Sequence, residues 1–337
     1  MYQTKKPKIW RWILLGLLII IVRIVFIGGN FSYNKTITIK QGDTFQTLLK
    51  DFSWKQKIRI KWYVRHHDID FSNLTMGSYV FSGEYSPASF VQFVQEWPKF
   101  QYTTIKILEG WSMYDIDNAL SNKWYLTTGA YIQFISNPAL ISTYQTKYSF
   151  LKWLQLKSLE GFLYPDTYKV DKEKDLLDQL IYLQLEAFKK RVWKDAEGIV
   201  GISPLSWYDS IKLASIVEKE ERSTVNRPTV AGILIKRLKM GTLIGADISL
   251  CYFFEKPYSE CKPAFISQHI QDNNPYNTRV VKGLPPTPVS NPSASSIMSV
   301  LQPQQSDYFY YLHDMNGSIH YGKTLDEHNQ NRNMYLK

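Results

Sequence analysis

The segment LASIVEKEE, residues 213–221, is apolar at first and ends in three glutamates. On a helix, Glu218 shares one face with Ile211 and Ala214, and Glu220 falls on an adjacent apolar stripe. An acid at the end of a buried face loses water, so its pKa rises and it can hold a proton at neutral pH. General acid catalysis needs such a donor, so the pattern predicts a carboxyl group that transfers protons.

Ordinary helix chemistry gives another interpretation of the same residues. Glu218 and Arg222 have the spacing of a helix ion pair, which contributes only a few tenths of a kcal/mol, and Glu220 would then be solvated. Asp247, in the segment IGADIS, is equally ambiguous, because an aspartate in a loop most often caps or turns the backbone. Helix physics alone leaves both interpretations open.

Composition limits the classes of function. The 337 residues suffice for two or three domains, and the formal net charge is +10. About half of the positive excess lies before residue 31, and there is no nucleic-acid recognition motif, so no nucleic-acid partner is expected. The cysteines and histidines lack zinc-ligand spacing, so neither a metal nor another cofactor is expected. Cys251 and Cys261 are either a disulfide formed outside the cytoplasm or two unpaired thiols.

The N-terminal segment predicts a membrane anchor. Residues 9–27 are apolar except for Arg11, near the start, and Arg23, and at ~1.5 Å per residue a helix of this length nearly spans a ~30 Å hydrocarbon core. The basic residues precede the apolar segment, which predicts a cytoplasmic N-terminus. A cleaved signal peptide is the alternative, but the segment is long for one and no small-x-small pattern follows it. We therefore expect residues 1–30 to be a cytoplasmic tail and a single transmembrane helix.

A strand–glycine–helix pattern occurs twice, in ITIKQGDTFQTLL from residue 37 and in IKILEGWSMYDI from residue 105. Gly42 aligns with Gly110, and Thr44 with Ser112, so each hydroxyl is a predicted helix N-cap. The predicted fold class is α+β. Its parts are the anchor, a small α+β module over residues 36–104, and a larger mixed α+β domain over residues 105–337.

Periodicity in the larger domain predicts its principal helices. Ser203-Pro204 is the predicted start of the helix that carries Glu218, and Gly241 is the predicted end of the next helix. Asn316-Gly317 predicts a β-hairpin. The helices are expected near residues 112–122, 127–136, 174–194, 204–222 and 227–240.

Five segments occur together in a fixed order. They are LEGFLYPDTY at 159–168, ASIVEKE at 214–220, RPTVAGILIKRLKMG at 227–241, YNT, GLPP and NPS within 276–293, and HYGKTLDEHNQN at 320–331. This set resembles the YceG-like endolytic murein transglycosylases over nearly the whole chain, and residues 36–104 resemble the LysM modules that bind cell-wall glycan. The resemblance implies cleavage of peptidoglycan strands between MurNAc and GlcNAc by a lyase reaction that leaves 1,6-anhydro-MurNAc ends.

The resemblance assigns catalysis to Glu218, the first glutamate of IVEKE. Glu218 would give its proton to the departing glycosidic oxygen and then take one from the MurNAc C6 hydroxyl, which attacks C1. Because no water takes part, a second carboxylate is not essential, and hydrogen-bond donors would stabilise the developing charge. For Asn277, Asn291, Thr278, Tyr164 and Asp166, the alternative to substrate binding is a structural role in a loop. The predicted substrate-binding residues are Glu220, Asp247, Tyr276, Asn277, Thr278, Asn291, Tyr164 and Asp166.

The chain departs from the family pattern at three places. Asn226-Arg227 stands where Glu-Arg is common, Asp247-Ile248-Ser249 where Asp-Pro-Thr is common, and Arg279 where an aromatic residue is common. Asn226 can still cap the following helix. These departures keep open a peptidoglycan-binding scaffold that recruits wall synthases without cutting, and a muramidase that uses water is a further alternative.

The resemblance also implies a location and partners. The expected location is the bacterial cytoplasmic (inner) membrane, with the catalytic domain in the periplasm or outside the cell. The expected partners are peptidoglycan strands, the membrane and penicillin-binding wall synthases.

Overall fold

The structure is a computed structural model that describes residues 9–22, 29–40, 42–72, 74–96, 102–123, 125–171 and 174–336. The chain divides into two compact units, residues 1–101 and 102–337. The predicted boundary between residues 104 and 105 would cut the strand Tyr102–Lys106. Since this strand pairs along its whole length with Thr167–Asp171, it belongs to the second unit, and the boundary lies before it.

The first unit begins with helix α1, Ile9–Val22. Within the described part of the chain, no helix is both long and apolar enough to cross a membrane. The predicted membrane helix runs on to residue 27, and residues 23–27 lie outside the described residues.

The rest of the first unit is a small α+β arrangement of two antiparallel strand pairs. Strand β2 pairs with β3, and β1 pairs with β4. Helix α4 begins with Pro87 and is preceded by Ser86, whose hydroxyl accepts from the Ser89 N–H at 3.0 Å and caps the helix. The elements are β1 Phe31–Ser32, β2 Lys35–Ile39, α2 Phe45–Leu48, α3 Trp54–His66, β3 Gly77–Phe81, β4 Glu84–Tyr85 and α4 Pro87–Glu96.

The second unit is a mixed α+β domain in which helices surround two short antiparallel pairs, β5 with β6 and β7 with β8. A π-helical turn, Lys189–Trp193, joins α8 to α9. The strands are β5 Tyr102–Lys106, β6 Thr167–Asp171, β7 Tyr310–His313 and β8 Ile319–Gly322. The helices are α5 Met113–Asn122, α6 Ala130–Ile135, α7 Pro138–Lys147, α8 Leu176–Phe188, α9 Lys194–Ala196, α10 Trp207–Glu220, α11 Arg227–Lys239, α12 Asp247–Phe253, α13 Pro263–His269, α14 Ala294–Leu301 and α15 Leu325–Tyr335.

The repeated strand–glycine–helix pattern is confirmed in both units. Gly42 and Gly110 have φ of 89° and 72°, in the left-handed region that favours glycine. Thr44 and Ser112 are the N-caps of α2 and α5, as predicted, and Ser112 forms a capping box with Asp115. The hairpin around Asn316-Gly317 is also confirmed, by the pairing of β7 with β8.

Helix α10 lies in the core of the second unit and packs against α11 and α14. Ile211, Leu213 and Ile216 are fully buried, and burial of each such side chain contributes about 1.5–3 kcal/mol. The prediction that α10 starts at Ser203-Pro204 is wrong. The helix begins at Trp207, because Ser206 accepts from the backbone N–H of the third residue and supplies the N-cap.

Candidate active site

Glu218 lies in the last turn of α10, and its side chain is only 4% exposed. One carboxylate oxygen accepts from Nη2 of Arg227 at 2.7 Å. The other accepts from the backbone N–H and the hydroxyl of Ser293, at 2.8 and 2.6 Å. Arg227 also donates to the Ser293 hydroxyl at 2.9 Å, so the three side chains form one closed network.

This network corrects two expectations for Glu218. The carboxyl group is not held against a purely apolar wall, and its ion-pair partner is Arg227 and not Arg222. The helix ends at Glu220, so Arg222 lies beyond the regular turn, whereas Arg227 opens the neighbouring helix α11. Each hydrogen bond to Glu218 within the described residues is donated to it, so both oxygens of its carboxyl group serve as acceptors.

A second carboxyl group lies beside Glu218 and was missed from the sequence. Glu109 precedes Gly110, where a side-chain carbon would stand 3.2 Å from Cγ of Glu218 and 3.1 Å from Cε of Lys219. The absence of a side chain at Gly110 thus lets this turn pack directly onto the end of α10. Glu109 itself is exposed, and its pKa is raised by partial burial and by the charge of Glu218, with Arg227 acting in the opposite direction.

A third carboxyl group, on Glu160, is fully buried and was also missed. It accepts from the Met113 N–H at 2.7 Å and from Nδ2 of Asn291 at 2.8 Å. Burial is the main cause that raises the pKa of Glu160 to about 8. One sequence signal could have identified both Glu109 and Glu160. Each directly precedes a turn glycine, Gly110 or Gly161, and both glycines have positive φ.

Four predicted substrate-binding residues make their hydrogen bonds inside the protein. The Asn277 amide donates to the Ile270 and Asp272 carbonyls, and the Thr278 hydroxyl accepts from the Ala246 N–H. The Asn291 amide joins Glu160 to the backbone of Gly161 and Leu163, and the Tyr276 hydroxyl contacts that of Thr287 at 3.0 Å. Asn277, Thr278 and Asn291 are also buried. This geometry favours the alternative role of these residues in shaping loops.

Tyr164 and Asp166 belong to the same turn but have different surroundings. The Tyr164 hydroxyl bonds to the backbone of Ala294, the residue after Ser293, and burial raises its pKa. Asp166 accepts from the Thr167 N–H at 2.7 Å and pairs with the exposed Arg191 at 3.5 Å. The structure therefore brings Tyr164 towards Glu218 and gives Asp166 a surface ion pair.

Comparison with known proteins supplies the family. The pattern of the YceG-like family matches residues 37–334. The chain belongs to the YceG-like family. A solved YceG-like protein of Listeria monocytogenes has the same fold, with a TM-score of 0.59 at 24% identity over 89% of this chain and 99% of that one.

Two curated relatives carry the name endolytic murein transglycosylase. The one from Bacillus subtilis (strain 168) is 28% identical over 178 residues, which cover 53% of this chain and 48% of the relative. The one from Streptococcus pneumoniae serotype 2 (strain D39 / NCTC 7466) is 26% identical over 330 residues, which cover 90% of this chain and 59% of the relative. The chain thus matches 48–59% of the length of these relatives.

Two of the three departures from the YceG-like pattern have structural explanations. Arg279, in place of an aromatic residue, forms an ion pair with Asp247 in which Nε and Oδ1 are 2.5 Å apart. Ser249 hydrogen-bonds to the Thr278 hydroxyl at 3.0 Å, so it connects α12 to the YNT segment. Asn226 is at the N-cap position of α11, but its side chain makes no capping bond, so that expectation is wrong.

Glu220 lies next to the ion pair of Asp247 and Arg279. Its carboxyl group accepts from the Tyr311 hydroxyl at 3.0 Å. Burial raises the pKa of Glu220, and the charge of Asp247 adds to the rise, whereas Arg279 opposes it. Glu220, Arg279 and Tyr311 line a cavity of about 430 Å³, which makes Glu220 the best placed of the predicted binding residues to face a ligand.

The two cysteines are joined. Cys251 of α12 and Cys261, just before α13, form a disulfide with Cα atoms 5.9 Å apart. This bridge closes the loop that follows Asp247 and its helix, so it decides between the two interpretations left open by the sequence.

Stability is expected to fall as the pH rises, because of Glu160. The folded pKa, about 8, lies above the ordinary value of 4.5, so between these values the folded chain binds a proton that the unfolded chain lacks. The contribution is complete below pH 4.5 and falls by about 1.4 kcal/mol per pH unit up to about pH 8. Urea unfolding from pH 5 to 8 should show a shallower decline for Glu160→Gln than for the unchanged chain. Parallel declines would contradict the raised pKa.

Proposed function

We propose that this YceG-like protein is an endolytic lytic transglycosylase. It cleaves the β-1,4 bond between MurNAc and GlcNAc in peptidoglycan strands and leaves 1,6-anhydro-MurNAc ends. The observation that carries the proposal is the buried Glu218, held by Arg227 and Ser293 at the end of α10. The relatives in Bacillus subtilis and Streptococcus pneumoniae are named endolytic murein transglycosylases, which supports the reaction class.

In the proposed mechanism Glu218 acts twice. Protonated Glu218 donates to the glycosidic oxygen as the bond from that oxygen to C1 of MurNAc breaks. The C6 hydroxyl then attacks C1 and returns its proton to the Glu218 carboxylate, so the enzyme ends as it began. Arg227 stabilises the ionised form between the two steps, and the donors of Ser293 hold the carboxylate in place.

The proton for the first step has a source beside the carboxylate. Glu109 is exposed to solvent, and its turn packs onto Glu218 through Gly110. Because the pKa of Glu109 is raised, it exchanges protons nearer to neutral pH than an ordinary glutamate does. In this proposal Glu109 exchanges protons between solvent and the site, whereas the C6 hydroxyl restores the Glu218 proton in each turnover.

The proposal includes a membrane anchor. Apolar side chains of α1, such as Leu14, Leu18 and Ile19, are more than half exposed, which suits a lipid environment. The disulfide of the second unit supports a location outside the cytoplasm, in the periplasm or beyond it. Association with penicillin-binding wall synthases stays a prediction.

The LysM-like module, residues 36–104, contributes glycan binding in this proposal. A cavity of about 660 Å³ is lined by Thr44, Phe45, Lys61 and Phe71 among others. The rings of Phe45 and Phe71 stack in parallel at 4.3 Å. Flat apolar faces at the edge of a cavity are suited to the face of a sugar ring.

A chain beginning at residue 31 tests both the anchor and the reaction. We expect it to be soluble without detergent and to release muropeptides with anhydro ends from purified glycan strands. Mass spectrometry distinguishes the muramidase, because its reducing-end products are heavier by one water. A soluble, folded chain that binds strands but forms neither end would identify the scaffold. Activity that returns only with residues 1–30 would contradict the predicted independence of the catalytic domain.

A further inference from the structure

Another cavity, also of about 430 Å³ and different from the one that Arg279 and Tyr311 line, begins where α10 ends. Its walls are the residues that directly follow Glu218 and the turn of the hairpin between β7 and β8. A carbon at Gly110 would stand 3.1 Å from Cε of Lys219 and 3.2 Å from Cγ of Glu218, so the two side chains are neighbours. We call this space the post-helix cavity; it is lined by Lys219, Glu220, Glu221, Arg222, His313, Asp314, Met315, Asn316 and Gly317.

The acidic residues of the post-helix cavity have partners within the protein. Glu220 accepts from Tyr311, and Glu221 accepts from the Ser223 N–H at 2.6 Å and contacts His313 at 3.1 Å. Asp314 accepts from two backbone N–H groups of the hairpin and contacts a histidine ring at 3.0 Å. Each of these carboxylates therefore already has hydrogen-bond partners within the protein.

The basic residues Lys219 and Arg222 of the post-helix cavity are less engaged, although the charges of Asp115 and Glu218 act on Lys219. Among the described residues, neither Lys219 nor Arg222 makes a hydrogen bond or an ion pair with an acid. The Lys219 ammonium lies over the ring of Tyr258, 4.4 Å from its centre, and Arg222 is exposed. An ammonium and a guanidinium at one cavity form an anion site, because both supply charge-assisted donors to a carboxylate.

We propose that the post-helix cavity binds a carboxylate of the peptide attached to MurNAc, so that strands with peptide stems are cut in preference to bare glycan. This inference rests on the proposed function. The stem is attached at C3 of the same sugar whose C1 reacts at Glu218. Lys219 is a neighbour of Glu218 and shares the post-helix cavity with Arg222, so the two basic side chains are placed to meet an anionic group of the stem.

Cleavage kinetics on two preparations of the same strands test this proposal. One preparation keeps its peptide stems, and the other is treated with an amidase that removes them. For the full chain in detergent, we expect kcat/KM to be roughly tenfold higher with stems, the effect of one charge-assisted contact. Arg222→Gln should bring the ratio close to one, and Arg222→Glu should bring it below one.

The matched control is Arg332→Gln, which removes an equally exposed arginine from α15, outside the cavity. It should keep the unchanged chain's ratio. A ratio of one in the unchanged chain, or a tenfold ratio that survives in Arg222→Glu, would overturn the proposal. If neither preparation yields anhydro ends, the proposed function fails instead. Co-sedimentation with the two preparations then tests whether the cavity binds an anion. Tighter binding of stem-bearing strands, lost in Arg222→Glu, would support the anion site. Equal binding of the two preparations would reject it.

Discussion

Replacing Glu218 with glutamine is expected to slow the formation of anhydro ends by about 10²- to 10⁴-fold, since glutamine cannot carry the proton. The same change is expected to destabilise the fold. Arg227 is 5% exposed in its side chain and would keep its charge without a carboxylate. Removal of one partner of a buried ion pair costs about 3–5 kcal/mol. The glutamine oxygen can still accept one hydrogen bond, which places the expected loss at the lower end.

The double variant Glu218→Gln/Arg227→Gln separates catalysis from stability. It removes both charges, so we expect it to recover much of the free energy of unfolding while cleavage stays absent. Urea denaturation and quantification of anhydro muropeptides on the same samples provide the measurement. Cleavage that returned together with stability would reduce Glu218 to a structural ion pair.

Substitution of Gly161 by alanine is expected to lower the free energy of unfolding by about 2–5 kcal/mol. The residue has φ of 89°, which costs an L-residue about 1–2 kcal/mol. The new methyl group would stand 2.7 Å from Cγ2 of Ile211 and from Cγ of Pro288, and overpacking costs a further ~1–3 kcal/mol. Because Ile211 lies on α10, cleavage should fall as well.

Gly129 supplies the control for this prediction. Its φ of 86° is nearly the same, but a carbon there would have nothing within 4 Å. Gly129→Ala should therefore cost only the backbone strain, about 1–2 kcal/mol in chemical denaturation. Equal losses at the two positions would show that the close approach of Gly161 to α10 is absent.

Local patterns predicted some of the elements, because helix caps and periodicity act over a few residues, but they missed the helices α7 and α12 to α15. Ser112 and Gly110 were identified in this way, and so was Glu218, as the acid at the end of a buried face. The predicted start of α10 was wrong because two serines, Ser203 and Ser206, could each be its N-cap. Ser206 is followed three positions later by Asp209, which hydrogen-bonds with it at the cap. Pro204 fits a first helical turn equally well, so local chemistry alone did not decide between them.

The partners of the site residues were beyond sequence reasoning. Ser293 is 75 positions from Glu218, and Asn291 is 131 positions from Glu160. No spacing rule connects residues at such separations; only the packing of α10 against α11 and α14 brings them together. Arg222 was the nearest base at helix spacing, which is why it was named in place of Arg227.

The hairpin of β7 and β8 has a consequence for the order of events in the cell. Tyr311 and His313 hold Glu220 and Glu221 at the end of α10, so this end acquires its full set of contacts only after most of the chain has been synthesised. A chain that has not yet formed β7 and β8 lacks this support. The end of α10 that carries Glu218 is thus among the last parts of the second unit to reach its final contacts.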